Sequence, residues 1–297
     1  MTVLITGASG FIGRFFTRYY LGHGRKVIGV SRKPCVWEHP ALGWLQVDLT
    51  APEGERSLRS ALDESSFCCL LAAVKPDTVR EKSSVPHQNQ TIDGVSSAAF
   101  ADSKCPNGLY LGGLSIFPDD KGLSVDEDSI PAPTSPYTKS KLYGERMFKA
   151  AANSSRKNWK ILRINAPYGP GMTERAVVHR FLVEAAKGQP LTVFDQGQRE
   201  QHFTWVGDCA EASAKLESLE PGVYHFVGPD RVTMLDLARK CIAIARSTSP
   251  ILFKSGDPGG SCPDFGPDRL EPVWPRASRT GISKGLSLFF ESFASGK

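Results

Sequence analysis

Eight residues near the N-terminus, "TGASGFIG" at positions 6–13, constrain this chain more than any other segment. They follow the apolar run Val3 to Thr6 and precede an amphipathic stretch over 11–22, so three glycines stand where a strand hands over to a helix. Gly7 permits a tight turn, Gly10 lets the backbone approach an anion, and Gly13 allows the helix to pack hard on the strand. The unpaired N–H groups at the helix start favour a pyrophosphate at that point. A strand, a glycine loop and a helix in this spacing belong to a parallel α/β sheet that binds a dinucleotide.

The rest of the chain keeps the rhythm. Strand-length apolar runs at Val3 to Thr6, Lys26 to Ser31, Trp44 to Leu49, Cys68 to Val74, Leu109 to Leu114 and Lys160 to Asn165 alternate with helical patterns at 11–22, 55–64, 89–104 and 136–153. The expected fold is α/β: a doubly wound parallel sheet (Rossmann) over residues 1–168, with a smaller C-terminal substrate-binding lobe over 169–297. That lobe reads as a helix at 175–187, short strands near 191–194, 203–206 and 222–227, a helix at 233–246 and an irregular stretch from Ser249 to Pro275, with some segments returning to the main sheet.

Composition narrows the function classes. No apolar run among the 297 residues approaches the roughly 18 needed to span a bilayer, and the first strand starts at Thr2, so a cytoplasmic chain with no membrane partner is expected. The net charge of +5 is scattered in pairs such as Arg25-Lys26 and Arg32-Lys33, which suits a small anionic ligand and argues against nucleic acid. Seven cysteines without a C-x-x-C and six histidines without ligand spacing predict reduced thiols and no metal site.

Two further segments carry chemistry. The second strand ends in "VSRKP", where an acid for a ribose 2'-hydroxyl is replaced by Ser31, followed by Arg32 and Lys33; donors and positive charge fit a 2'-phosphate. NADP is therefore expected ahead of NAD. Asp48, closing the third strand, suits either an adenine amine or a turn cap. The segment "SPYTKSK" sets Tyr137 four residues before Lys141 on one helix face, with Ser135 as a cap before Pro136. An ammonium about 4 Å from the phenol is worth roughly 4 kcal/mol at an effective dielectric near 20, enough to bring the phenol toward neutral pH.

Together, "TGASGFIG", "LLAAV", "SPYTKSKLYGE", "ILRINAPYGPG" and "HFTWVGDCAEA" occur in the order and spacing of the extended short-chain dehydrogenase/reductases, the NAD-dependent epimerase/dehydratase family, which the chain resembles over almost its whole length. The resemblance implies Tyr137 as general acid/base and Lys141 as the cation that holds the nicotinamide ribose and lowers the phenol pKa. It implies a cofactor bed of Gly7, Ser9, Gly10, Phe11, Ile12 and Gly13, with Ser31, Arg32, Asp48, Leu49, Ala72 and Ala73 around it. It also implies a homodimer paired through the helices at 89–104 and 136–153.

The departures from the family pattern bear on substrate. Gly113 stands where the family has Ser or Thr, leaving Ser115, two residues on, as the candidate hydroxyl. Leu114 and Ser115 replace the Asp-Glu pair of the sugar dehydratases, which argues against elimination. Ala166 occupies a family asparagine position, and Gln201-His202 replaces an arginine that grips a diphosphate, with Arg199, Arg269, Arg276 and Arg279 as candidate compensating cations. These losses favour a small-molecule substrate other than a nucleotide sugar. His202 reads as a hydrogen-bonded structural residue. The reading that emerges is an NADP(H)-dependent oxidoreductase acting on a ketone or the matching alcohol; the alternatives are a nucleotide-sugar epimerase and a non-catalytic cofactor-binding protein.

Overall fold

A computed structural model describes residues 1–75, 84–257 and 259–294. In chain order its elements are β1 (Thr2–Thr6), α1 (Phe11–Gly22), β2 (Lys26–Ser31), β3 (Leu42–Gln46), α2 (Gly54–Asp63), β4 (Phe67–Leu70), α3 (Val85–Asp102), β5 (Asn107–Gly113), β6 (Ser124–Val125), α4 (Pro136–Ser154) and β7 (Asn158–Ile164). They continue as β8 (Pro167–Tyr168), α5 (Val177–Ala186), β9 (Leu191–Phe194), β10 (Glu200–His202), β11 (Thr204–Trp205), α6 (Val206–Leu216), β12 (Gly222–Phe226), β13 (Arg231–Thr233), α7 (Met234–Ile244), β14 (Ile251–Lys254), β15 (Asp264–Phe265) and α8 (Ile282–Ala294). Pro258, inside the irregular stretch expected from Ser249 to Pro275, lies outside the described residues.

The chain divides into two compact units. The first comprises Met1–Phe117, Ile130–Ile164 and Cys209–His225. Its seven-stranded sheet runs in the order β12-β7-β5-β4-β1-β2-β3, with parallel pairing at β1–β2, β1–β4, β2–β3, β4–β5 and β5–β7. The order reverses between β1 and β4, and the crevice beyond the carboxyl ends of those strands is where such sheets take a ligand. The core explains the fully apolar strands: Leu4, Val30, Cys68, Tyr110 and Ile161 from the sheet pack with Leu58, Phe100 and Phe148 from the helices.

The second unit comprises Pro118–Ser129, Asn165–Asp208 and Phe226–Lys297. It is built from two-stranded pairs, β10–β13, β11–β8, β14–β9 and β15–β6, of which β10–β13 is antiparallel and the others parallel. Tyr168, Phe181, Leu191, Leu237, Leu286 and Phe289 form its core.

Local differences from the sequence reading have local causes. The third strand ends at Gln46, not Leu49, because Asp48 turns the chain by accepting from the Thr50 N–H at 2.9 Å and its hydroxyl at 2.8 Å. The third helix begins at Val85, four residues before the expected 89, with Pro86 in its first turn. Among the described residues no helix is long and apolar enough to cross a membrane, and no cluster of His, Cys, Asp or Glu is placed to hold a metal.

Candidate active site

The glycine loop is built as a cradle. Gly7 sits at φ 69°, and a Cβ there would come within 3.0 Å of Ala72 Cα, so the turn after β1 is pressed against the chain leaving β4. A Cβ on Gly13 would lie 2.2 Å from the Gly7 carbonyl oxygen, which holds the start of α1 against the loop. No side chain caps α1, so its first N–H groups remain available to an anion. Thr6 Oγ1 accepts from the Leu71 and Ala72 N–H groups at 2.9 and 3.1 Å, and Asn89 brackets Val74 through both amide atoms at 2.8 and 3.1 Å. These ties fix "LLAAV" beside the loop, with Ala72 half-buried and Ala73 exposed. The cradle fits a dinucleotide pyrophosphate.

At the end of β2, Ser31 Oγ lies 2.5 Å from Ser9 Oγ and accepts from the Lys33 N–H at 3.1 Å. Arg32 and Lys33 are exposed, and the six residues after the strand, 32–37, include no carboxylate. Asp48 is held below the usual carboxylate range by its bonds to Thr50 and by the Arg32 charge. Leu49 is buried beside it, while Phe11 and Ile12 open α1 half-buried.

The Tyr-Lys pair stands on the first turns of α4. Ser135 Oγ accepts from the Thr138 N–H at 3.1 Å, and Thr138 Oγ1 accepts from the Ser135 N–H at 3.1 Å, a reciprocal capping box that encloses Tyr137. Lys141 is buried, its ammonium donating to the Tyr110 hydroxyl at 2.8 Å and lying 4.5 Å from that ring's centroid. Burial, and then the charge on Asp93, push the Tyr137 phenol above its ordinary value. The spacing alone suggested the opposite direction. The difference arises because the ammonium is engaged by Tyr110 and shares its surroundings with Asp93, two residues that local spacing does not reveal.

A second buried pair lies one turn further along α4. Arg163 on β7 grips Glu145 with Nη2 at 2.9 Å and Nε at 3.0 Å from Oε2, and its Nη1 lies 3.4 Å from His225 Nε2. Burial raises Glu145 while Arg163 opposes the rise. With these partners bonded, the pair anchors α4 to the sheet.

After β5 the chain makes a single 3-10 turn at Leu114–Ile116, and Ser115 is exposed on it. A Cβ on Gly113 would come 3.5 Å from Ser115 Oγ. The turn thus brings the Ser115 hydroxyl beside the position where the glycine lacks a side chain.

Within the second unit, Ala166 has φ 34°, a left-handed conformation that asparagine tolerates better than alanine. Gln201 donates to Asn165 Oδ1 at 3.3 Å. His202 Nδ1 pairs with the Gly228 carbonyl at 3.1 Å, and burial lowers its pKa to about 4, so it is a neutral structural residue at pH 7. The four arginines considered as compensating cations all have internal acceptors. Arg279 meets both Asp268 oxygens at 2.6 Å, Arg276 holds the Phe265 carbonyl at 2.8 Å, Arg269 reaches Asp128 at 2.6 Å, and Arg199 donates to the Gly260 carbonyl at 2.9 Å.

The profile of the NAD dependent epimerase/dehydratase family matches residues 3–222, spanning the glycine cradle, the Tyr-Lys turn and the Glu145–Arg163 anchor. The chain belongs to that family. Along 97% of its length it is 28% identical to the dTDP-4-dehydro-6-deoxy-D-allose reductase of Streptomyces bikiniensis, covering 96% of that protein. A reductase of the same name from another Streptomyces is 27% identical over 88% of this chain and 86% of its own. The fold matches the UDP-glucose 4-epimerase of Thermotoga maritima, solved with UDP-glucose, at TM-score 0.86 and 19% identity over 100% of this chain and 99% of that one. MoeE5, solved with UDP-glucose and NAD, also superposes at TM-score 0.86, with 23% identity over 100% and 99% of the two chains. The protein is therefore an enzyme, an oxidoreductase or epimerase of the extended short-chain dehydrogenase/reductase type.

Proposed function

We infer that this enzyme is an NADP(H)-dependent reductase of a carbonyl group on a small metabolite. The observation that carries the reading is the α4 turn, where Tyr137 precedes a buried ammonium, Lys141, whose partner Tyr110 belongs to the strand that leads to Ser115. The bound nicotinamide would supply and accept hydride. Tyr137 donates the proton to the substrate oxygen, Lys141 holds a ribose hydroxyl, and Ser115 orients the same oxygen in place of the side chain Gly113 lacks. Ser9, Ser31 and Arg32 favour a 2'-phosphate over a bare ribose, and Asp48, Leu49, Phe11, Ile12, Ala72 and Ala73 line the adenosine and pyrophosphate side.

Engagement of Arg199, Arg269, Arg276 and Arg279 with internal acceptors supports a substrate that does not depend on these cations for a diphosphate grip. The two Streptomyces relatives are named as reductases of a dTDP-linked dehydro sugar, which supports a keto sugar as the carbonyl compound and weighs toward a nucleotide-linked one. The reading extends to a cytoplasmic homodimer paired through α3 and α4, whose Ala98 and Ala151 permit close helix approach.

A screen of ketones with NADPH and NADH, followed at the nicotinamide absorbance, tests the reading. One NADPH consumed per alcohol formed, with Tyr137→Phe lowering kcat by a factor on the order of 10² to 10⁴, is the expected result. Product isomerised with no net NADPH consumption would replace the reductase with an epimerase. Full turnover by Tyr137→Phe would remove the phenol from its role.

A further inference from the structure

The segment that leaves β2 carries the groups assigned to a 2'-phosphate, and its shape is set from the neighbouring strand. An extended strand sends successive carbonyls to alternate edges. Those of Ser31, Arg32 and Lys33 instead all accept from β3 or the residue that follows it. The Ser31 carbonyl takes the Val47 N–H at 2.9 Å, the Arg32 carbonyl takes Gln46 Nε2 at 3.2 Å, and the Lys33 carbonyl takes Trp44 Nε1 at 3.0 Å. A fourth bond closes the turn, the Lys33 N–H donating to Ser31 Oγ at 3.1 Å, and Ser31 Oγ lies 2.5 Å from Ser9 Oγ in the glycine loop.

Trp44 is itself placed by packing. It stands opposite Gly29 in the β2–β3 register, and a Cβ on Gly29 would fall 2.5 Å from Trp44 Cζ3, 2.6 Å from Cε3 and 3.1 Å from Ala8 Cβ. The indole therefore lies across β2 beside the glycine loop, in space that glycine leaves open. Trp37, further along the same segment, meets it edge to face with centroids 6.4 Å apart and is covered by the Arg18 guanidinium of α1 at 5.6 Å. A carbonyl oxygen turned toward an anion repels it, and a loop that is loose before binding must be ordered when the anion arrives. Here three successive carbonyls are engaged by the β3 side, and the ordering is done by the fold. Arg32 and Lys33 extend from a fixed backbone, and both side chains remain exposed.

We propose that Trp44, together with Gln46, is a positioning residue for cofactor choice: its indole N–H holds the Arg32–Lys33 backbone in the conformation that gathers the two cations around the 2'-phosphate of NADP. This deepens the NADP(H) reading and rests on it. Neither side chain touches the reacting atoms, so the effect belongs to binding and is read there.

The test is isothermal titration calorimetry of NADP and of NAD against the full-length, cofactor-free chain and its variants. Trp44→Phe keeps an aromatic ring over Gly29 and removes the N–H. Its affinity for NADP should fall about fivefold, on the order of one hydrogen bond, while its affinity for NAD changes by less than about twofold. NAD lacks the 2'-phosphate and shares the rest of the molecule, so a merely structural role would lower both affinities alike. In a chain without the two cations, Arg32→Ala with Lys33→Ala, adding Trp44→Phe should change NADP affinity by less than about twofold, as expected of a residue that acts through them. If Trp44→Phe does not fold, Gln46→Met, at an exposed position, carries the same expectation with a loss of about threefold for NADP alone. Equal losses for both cofactors, an unmoved NADP-to-NAD ratio, or a loss that persists without the two cations overturns the positioning role and leaves the NADP reading intact. An unmodified chain that binds NAD as tightly as NADP overturns both.

Discussion

Two helix-interior glycines should respond oppositely to the same substitution. Gly94 lies in α3 and Gly144 in α4, and replacing glycine with alanine inside a helix stabilises by about 1 kcal/mol through helix propensity alone. A Cβ on Gly94 would find Met147 Cε at 3.7 Å, an ordinary contact, so Gly94→Ala should stabilise by about 0.5 to 1 kcal/mol. A Cβ on Gly144 would find Asp93 Oδ2 at 2.2 Å and the Tyr110 hydroxyl at 2.3 Å, so both must withdraw. Overpacking a tight site costs about 1 to 3 kcal/mol, and losing the charge-assisted bond from Lys141 to Tyr110 costs about 1.5 to 3 more. Net of the propensity gain, Gly144→Ala should destabilise by about 1.5 to 5 kcal/mol. Guanidinium unfolding followed by far-UV circular dichroism gives the comparison through the midpoint shift at constant slope. If Gly144→Ala raises the midpoint as Gly94→Ala does, or leaves it unmoved, the tight convergence over Gly144 is refuted.

Other consequences can be checked directly. In Gly13→Ala the new Cβ meets backbone atoms, Gly7 O at 2.2 Å and Ala8 Cα at 2.8 Å, so the loop must open, and calorimetric affinity for NADP should fall at least about tenfold; undiminished affinity would contradict the cradle. Asp93 has a folded pKa raised to about 6, so its contribution to stability is full below its unfolded value and lost as pH rises through 6. Relative to the unmodified chain, Asp93→Asn should therefore gain about 2 kcal/mol in unfolding free energy between pH 4.5 and 7.5, and a pH-independent difference would refute the burial cost.

What could be read from the sequence was what is local along the chain. The junction of β1, glycine loop and α1 is written in thirteen consecutive residues, the strand-helix rhythm follows from hydrophobic periodicity, and Tyr137 and Lys141 share a helix face because they are four apart. The Ser135 cap follows from the same short-range rules. The tertiary structure decided everything that depends on residues far apart in sequence meeting in a medium of low polarity. Strand order brings β5 between β4 and β7, and so sets Tyr110 from β5 under Lys141, Arg163 from β7 on Glu145, and α3 with Asp93 over Gly144. Those meetings reverse the direction in which the Tyr137 phenol is pushed, and in the second unit they occupy the four arginines. Helix and strand periods specify which face a side chain is on; the energy of a buried charge depends on which partner stands opposite, and that partner is supplied by the fold.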